Sequence, residues 1–151
     1  MNTIYKGQVI TASISSLKYI NCDEVWQITR SSNTIPGSIW VPELSPSPVL
    51  FHQYLYHWKD KPPEEWWPYY AEIFNRELRS REKLKVVSRL KSRVERGETI
   101  ALVCFCKERK YCHRSLVGDF LKQHDIVTEE YIKVNARKVG DYIEVEQLTL
   151  F

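Results

Sequence analysis

Thr99-Ile-Ala-Leu-Val-Cys104-Phe-Cys106, joined through Lys107–Tyr111 to Cys112-His113-Arg114-Ser115-Leu116-Val117-Gly-Asp-Phe120-Leu121, is the stretch that decides the fold. Its first part is almost continuously apolar, as a strand buried on both faces of a sheet has to be. A short charged link follows, and Leu116, Val117, Phe120 and Leu121 then recur at helical spacing to about His124. A buried strand running directly into a helix is the unit from which parallel α/β sheets are built. In such sheets ligands collect at the carboxyl edge of the strands.

Working outward, Leu84, Val87, Leu90 and Val94 mark a preceding helix that Gly97 stops. Trp66, Trp67, Tyr70, Ile73, Phe74 and Leu78 mark an earlier one, opened by Pro62-Pro63 with Glu64 and Glu65 at its positive end. Ser47 before Pro48 is an N-cap with proline at the first helical position, predicting a short helix to about His57. Before it, Pro42, Pro46 and Pro48 make 41–48 irregular, and Glu24–Arg30 reads as a strand that ends at Arg30 in the turn-rich Ser31–Gly37. Downstream, Tyr131–Val134 and Tyr142–Val145 read as late strands. The expectation is one three-layer α/β domain over residues 1–146, with a mostly parallel sheet flanked by helices, and residues 147–151 as a tail. A chain of 151 residues suits one such domain.

Composition narrows the class. With 43% hydrophobic and 27% charged residues the chain is ordinary globular protein rather than disordered. A net charge of +3 is compatible with a phosphate-bearing partner without requiring one. No run approaches the roughly 20 apolar residues of a membrane span, and the N-terminus lacks the apolar stretch of a signal peptide. A cytoplasmic protein with no membrane association is therefore expected. Its cysteines, at 22, 104, 106 and 112, should be reduced thiols, metal ligands or reactive groups rather than a disulfide framework.

The cysteine segment carries the chemistry. Three thiols, an imidazole and a guanidinium fall within Cys104–Arg114, at the end of a buried strand and the start of a helix. A helix start offers unpaired N–H groups and a partial positive charge, which favours anions and lowers thiol pKa values. Four readings stand side by side. Cys104 and Cys106 are small buried apolar groups, with His113 and Arg114 ordinary helix-start residues; or Arg30, Arg114 and Ser115 bind an anion, such as a nucleotide or nucleic-acid phosphate. Alternatively, Cys106 or Cys112, with His113, serves thiol or redox catalysis. The last reading has Cys104, Cys106, Cys112 and His113 holding zinc in a structural module, although such sites usually draw paired ligands from two knuckles. No cofactor is otherwise required. The cysteine-phosphatase loop does not fit: it needs five residues between cysteine and arginine, whereas seven separate Cys106 from Arg114.

Three segments resemble the family known as domain of unknown function 488. They are Leu102-Val-Cys-Phe-Cys followed by Cys112-His113-Arg114-Ser115; Trp40-Val-Pro-Glu-Leu44-Ser-Pro46-Ser47; and Tyr70, Phe74, Glu77-Leu78. The resemblance covers about residues 24–125 and implies a compact α/β domain with no agreed activity. Members often carry an aspartate two residues before the arginine that ends the early strand. Here that position is Ile28, so an acid–base mechanism through that aspartate is not expected.

The chain ends Gln147-Leu148-Thr149-Leu150-Phe151, which resembles the Gln-Leu-(Ser/Asp)-Leu-Phe peptide by which bacterial replication and repair proteins dock on the sliding clamp. Leu148, Leu150 and Phe151 would fill an apolar pocket while Gln147 makes a polar contact. Together with the cysteine segment this suggests an accessory protein of DNA metabolism. The other histidines read as structural or exposed: His52 and His57 on a helix, His124 at a helix end. Trp67 and Tyr69 could stack bases, but packing is the more economical expectation for both.

Overall fold

A computed structural model describes residues 7–132. Five strands form one sheet: β1 (Gln8–Ser13), β2 (Glu24–Gln27), β3 (Ile39–Trp40), β4 (Thr99–Cys104) and β5 (Thr128–Glu130), in the order β3-β2-β4-β1-β5. Every pairing is parallel. Among the described residues four α-helices accompany them: α1 (Pro48–Gln53), α2 (Pro63–Glu77), α3 (Arg81–Glu95) and α4 (His113–Lys122). The chain is thus the α/β domain expected, with a parallel sheet.

β4 lies at the centre, between β1 and β2, and its burial on both faces explains its unbroken apolar sequence. Ile100, Leu102 and Cys104 point to one side, with Val9, Trp26 and Ile28, and buried residues of all four helices pack on them in one large cluster. Ala101 and Val103 point to the other, with Ala12, against Ile14, Leu17, Ile20, Cys22 and Val25. The two outer layers are therefore unequal among the described residues. One is helical and deep, and the other is a thin cover that includes the 3-10 turn Ile14–Tyr19.

Several boundaries differ from expectation for definable reasons. β1, unannounced by the sequence patterning, runs beside β4 from Gln8↔Thr99 to Ser13↔Cys104. β2 stops at Gln27 rather than Arg30, because the buried Gln27 amide holds the next loop. It donates to the Thr29 hydroxyl and the Asn33 carbonyl, each at 2.9 Å, and accepts from the Ile35 N–H at 3.1 Å. β4 stops at Cys104, two residues short of Cys106, where Phe105 bends out. α1 begins as expected, with the Ser47 hydroxyl accepting from Leu50 N–H, but passes into a π-helical turn over Tyr54–Trp58. The strand expected at Tyr131–Val134 is instead Thr128–Glu130, with Tyr131 N–H adding a last bond to Thr11 O. Residues 133–134, the strand expected at Tyr142–Val145, the domain end at 146 and the tail Gln147–Phe151 lie outside the described residues.

No helix among the described residues is long and apolar enough to cross a membrane.

Candidate functional site

Parallel pairing brings the carboxyl ends of β1, β2 and β4 to one edge, where Thr29 and Arg30 leave β2, Phe105 and Cys106 leave β4, and α4 begins at Cys112. A cavity of about 340 Å³ opens there. Arg30, Cys106, Cys112 and His113 line its polar side, and Phe51, Tyr54, Trp66, Tyr70 and Tyr111 its aromatic walls. Its size is in the range of small-molecule sites.

The sulfurs of Cys104, Cys106 and Cys112 lie within 4.8 Å of one another, and Cys104 Sγ is 2.9 Å from Cys112 Sγ. Cys104 and Cys112 are buried and Cys106 is exposed. All three are free thiols, as is Cys22, which lies apart on the thinner face. Hydrogen bonding divides them into unlike groups. The Cys106 thiol is driven well below its usual range, first by the S–H groups of Cys104 and Cys112 donating to its sulfur, with Arg114 contributing and burial opposing. Cys104 and Cys112 are pushed up, because each is the donor in those bonds and is buried. These opposed shifts favour the thiolate at the exposed sulfur and the protonated thiol at the two buried ones.

His113 is buried at the first position of α4, and its Nε2 lies 2.6 Å from the Ile28 carbonyl. A carbonyl only accepts, so Nε2 carries the proton and Nδ1, 3.9 Å from Cys112 Sγ, keeps its lone pair while the ring is neutral. Burial lowers the His113 pKa and favours that neutral ring. Phe74 packs edge-on against it at 5.7 Å.

Arg114, 1% exposed, is engaged wholly within the protein. Its Nε and Nη2 hold the Glu130 carboxylate at 2.9–3.1 Å. Nη1 donates to Cys104 Sγ at 3.1 Å and Cys106 O at 2.7 Å, and Nη2 to Lys107 O at 3.2 Å. These contacts account for the five N–H groups of a guanidinium. Burial works against its charge, but Glu130 and the sulfurs outweigh it and keep it protonated. Arg114, expected as an anion ligand, thus has its guanidinium donors directed to protein partners in this structure. Ser115 is similar: its hydroxyl donates to Cys112 O at 2.9 Å inside the first turn of α4.

Arg30 stays open to a ligand. It is half-buried, donates from Nη1 to Pro46 O at 3.2 Å, rests 5.9 Å over the Trp40 ring, and lines the cavity. The position of the family's aspartate is Ile28, fully buried in the core, and only its backbone reaches the site. The other two segments that resemble the family also meet here. Ser47 donates its N–H and hydroxyl to the Glu77 carboxylate, tying the start of α1 to the end of α2.

Of the four zinc candidates, the three sulfurs come together, and His113 Nδ1 approaches Cys112 alone. The donors are of a kind that could hold a soft metal. Zn–S bonds of about 2.3 Å set two sulfurs on one zinc about 3.8 Å apart. Cys104 and Cys112, at 2.9 Å, would have to separate to share a metal.

Trp66 and Tyr70 line the cavity. Trp67 packs as expected, stacked on Tyr70 with centroids 5.3 Å apart, whereas Tyr69, for which packing was also expected, is exposed. The i, i+4, i+8 series Trp66, Tyr70, Phe74 was the available signal. Glu130, which anchors Arg114, and Tyr54 had no signal. His52 and His57 are exposed and His124 packs on Phe120 at 4.8 Å, all three away from the cavity lining.

A family model described as DUF488-N3a, the active DUF488-N3 subclade, matches residues 11–125. The curated proteins and the solved structures give no match.

Proposed function

The chain belongs to the DUF488 family, in its N3a subclade, and we propose that it is a cysteine-dependent enzyme whose nucleophile is the Cys106 thiolate. One observation carries this reading. An exposed sulfur at the strand edge is flanked, within 4.8 Å, by two buried thiols and faces a ligand-sized cavity. A thiolate is the reactive form of cysteine, and an electropositive, hydrogen-bonded setting at a helix start is where it is stabilised. Description of the subclade as active is in keeping with a chemical role.

The cavity limits the substrate. Aromatic walls from Tyr54, Trp66 and Tyr70 suit a flat ring, and Arg30 suits an anionic substituent on it. A nucleotide or a related aromatic anion combines both, which keeps the anion pocket of the sequence reading and centres it on Arg30 instead of Arg114. Cys106 lines the same cavity, where its thiolate would face the bound ring or its substituent.

Iodoacetamide labelling tests the nucleophile. Cys106 should alkylate at a rate that is nearly flat between pH 6 and 8, where an ordinary thiol slows about tenfold per pH unit on the acid side of its pKa near 8.5. A rate that falls tenfold per unit, or alkylation confined to Cys22, would remove the thiolate. Metal analysis of the same preparation checks the competing use of the sulfurs, and one equivalent of tightly bound zinc would replace the nucleophile with a metal centre.

The tail is a separate proposal, carried by the pentapeptide Gln147–Phe151. Docking on a bacterial sliding clamp would place the chemistry in DNA metabolism. Deletion of residues 147–151 should abolish capture by immobilised clamp, and unchanged capture would refute it.

A further inference from the structure

We propose that Cys104, Cys106 and Cys112 form a three-sulfur relay that reduces a hydroperoxide, with Cys106 taking the oxygen at the surface and the buried Cys104–Cys112 pair ending as the disulfide. The inference rests on the reading of Cys106 as the reactive thiolate, and adds a second reaction for the same sulfur. Its basis is the division of the cluster. An oxidant from solvent meets Cys106 first, because Cys104 and Cys112 are each 1% exposed. The shortest sulfur–sulfur approach, however, joins the two buried ones at 2.9 Å, about 0.9 Å longer than a disulfide bond. A single nucleophile needs one neighbouring hydrogen-bond donor. Two buried thiols, each near Cys106 and in contact with one another, supply both a resolving sulfur and a destination for the disulfide.

The steps balance. Cys106 thiolate attacks the distal oxygen of the hydroperoxide; the S–O bond forms, the O–O bond breaks, and the alkoxide takes a proton and leaves as alcohol, or as water from hydrogen peroxide. One buried thiol then attacks the sulfenic sulfur of Cys106, and its proton leaves with the hydroxyl as water. The other buried thiol attacks its neighbour's sulfur and displaces Cys106, which gives back the proton consumed at the start and is a thiolate again. The sum is two thiols and a hydroperoxide giving a disulfide, an alcohol and water. Exchange of this kind requires a thiolate leaving group of low pKa, and the hydrogen-bonded Cys106 is the best leaving group of the three.

The local frame suits the exchange. Arg114 spans Cys104 Sγ, the Cys106 carbonyl and Glu130 on β5, so the strand end and the loop after it are held while bonds change between sulfurs. Cys112 enters from the N-cap of α4, on the far side of the Lys107–Tyr111 loop, and the Cys104–Cys112 disulfide closes that loop from within.

The experiment treats the full chain with one equivalent of hydrogen peroxide, blocks free thiols with iodoacetamide under denaturing conditions, and maps tryptic peptides by mass. Cleavage after Lys107 and Lys110 separates Cys104 and Cys106 from Cys112. The expected product has lost two thiols, with Cys112 linked to the Cys104–Cys106 peptide and Cys106 alkylated. Cys106→Ser should form the Cys104–Cys112 link at least tenfold more slowly. Cys112→Ser should stop at a Cys104–Cys106 disulfide, and the double variant Cys104→Ser/Cys112→Ser, which lacks both resolving thiols, should accumulate a Cys106 sulfenic acid trapped by dimedone. A wild-type protein that ends as a Cys106 sulfinic acid with no cross-link overturns the relay, as does an unchanged rate in Cys106→Ser. Failure here is distinct from failure of the nucleophile: flat alkylation without a cross-link leaves Cys106 as a thiolate with no relay. A cross-link formed as fast without Cys106 removes the relay and leaves the alkylation profile to judge the thiolate.

Discussion

His113 and Arg114 are adjacent in sequence and opposite in electrostatic behaviour. Arg114 keeps its charge because a carboxylate, two carbonyls and a sulfur surround it, so burial is offset by charge-assisted hydrogen bonds. His113 has one acceptor, the Ile28 carbonyl, and burial keeps it neutral. Its lowered pKa links folding to pH. Below the unfolded value of about 6.5 the unfolded ring binds a proton that the native ring does not, so the unfolded state binds more protons and stability falls with decreasing pH. From this residue we expect a loss of up to about 1.4 kcal/mol per pH unit below pH 6.5. Urea unfolding at pH 7, 6 and 5 reads it, and His113→Gln should flatten that part of the profile. An identical profile in the variant would show that the ring is protonated in the native state.

The helices are set by local chemistry and the strands by their neighbours. Gly97 ends α3 with φ +89°, a conformation that favours glycine and lets the chain turn into β4. At the start of α1, Ser47 caps Leu50 N–H and also donates to Glu77. Removing its hydroxyl takes away the cap and one of two donors to a part-buried carboxylate. Ser47→Ala should therefore cost about 1–2 kcal/mol in denaturant unfolding. A cost within a few tenths would mean that the cap is not supporting the element. Because α1 and α2 carry Phe51, Trp66 and Tyr70, the same variant should loosen the cavity wall before it affects the sulfurs. Strand ends, by contrast, follow from side-chain events after the ladder: the Gln27 amide ends β2, while Arg114 holds the chain that leaves β4.

Across the whole molecule, one apolar cluster joins the large face of the sheet to all four helices and reaches Cys104 and Cys112 at its edge, so the site is an extension of the core. Phe74, fully buried and packed on both Tyr70 and His113, is the link between them. Phe74→Ala should cost about 3–5 kcal/mol by urea unfolding, and the vacated space should admit water beside His113. A cost under 1 kcal/mol would show that the helical layer and the site are not packed as one. Much of this architecture was legible in the residues. The unbroken apolar run of β4, the Ser47-Pro48 start of α1, the glycine after α3 and the helical spacing after Cys112 each express a local requirement of backbone or burial. They sufficed for the α/β class, the order of the main helices and the meeting of Cys104, Cys106 and Cys112 at the end of β4. β1 was not legible, since its strand character comes from lying beside β4. Nor were the roles of the site residues. Arg114 and Arg30 are the same residue type at the same sheet edge, and only the position of Glu130, brought in by β5 pairing with β1, satisfies one and leaves the other open. The three cysteines likewise differ by burial and by the direction in which their surroundings shift each thiol. Sequence by itself determined which groups gather at the edge, because strand, loop and helix start are contiguous. Tertiary structure decided which of them is charged, exposed and free, because hydrogen-bond partners and solvent access are set by segments far away in the chain.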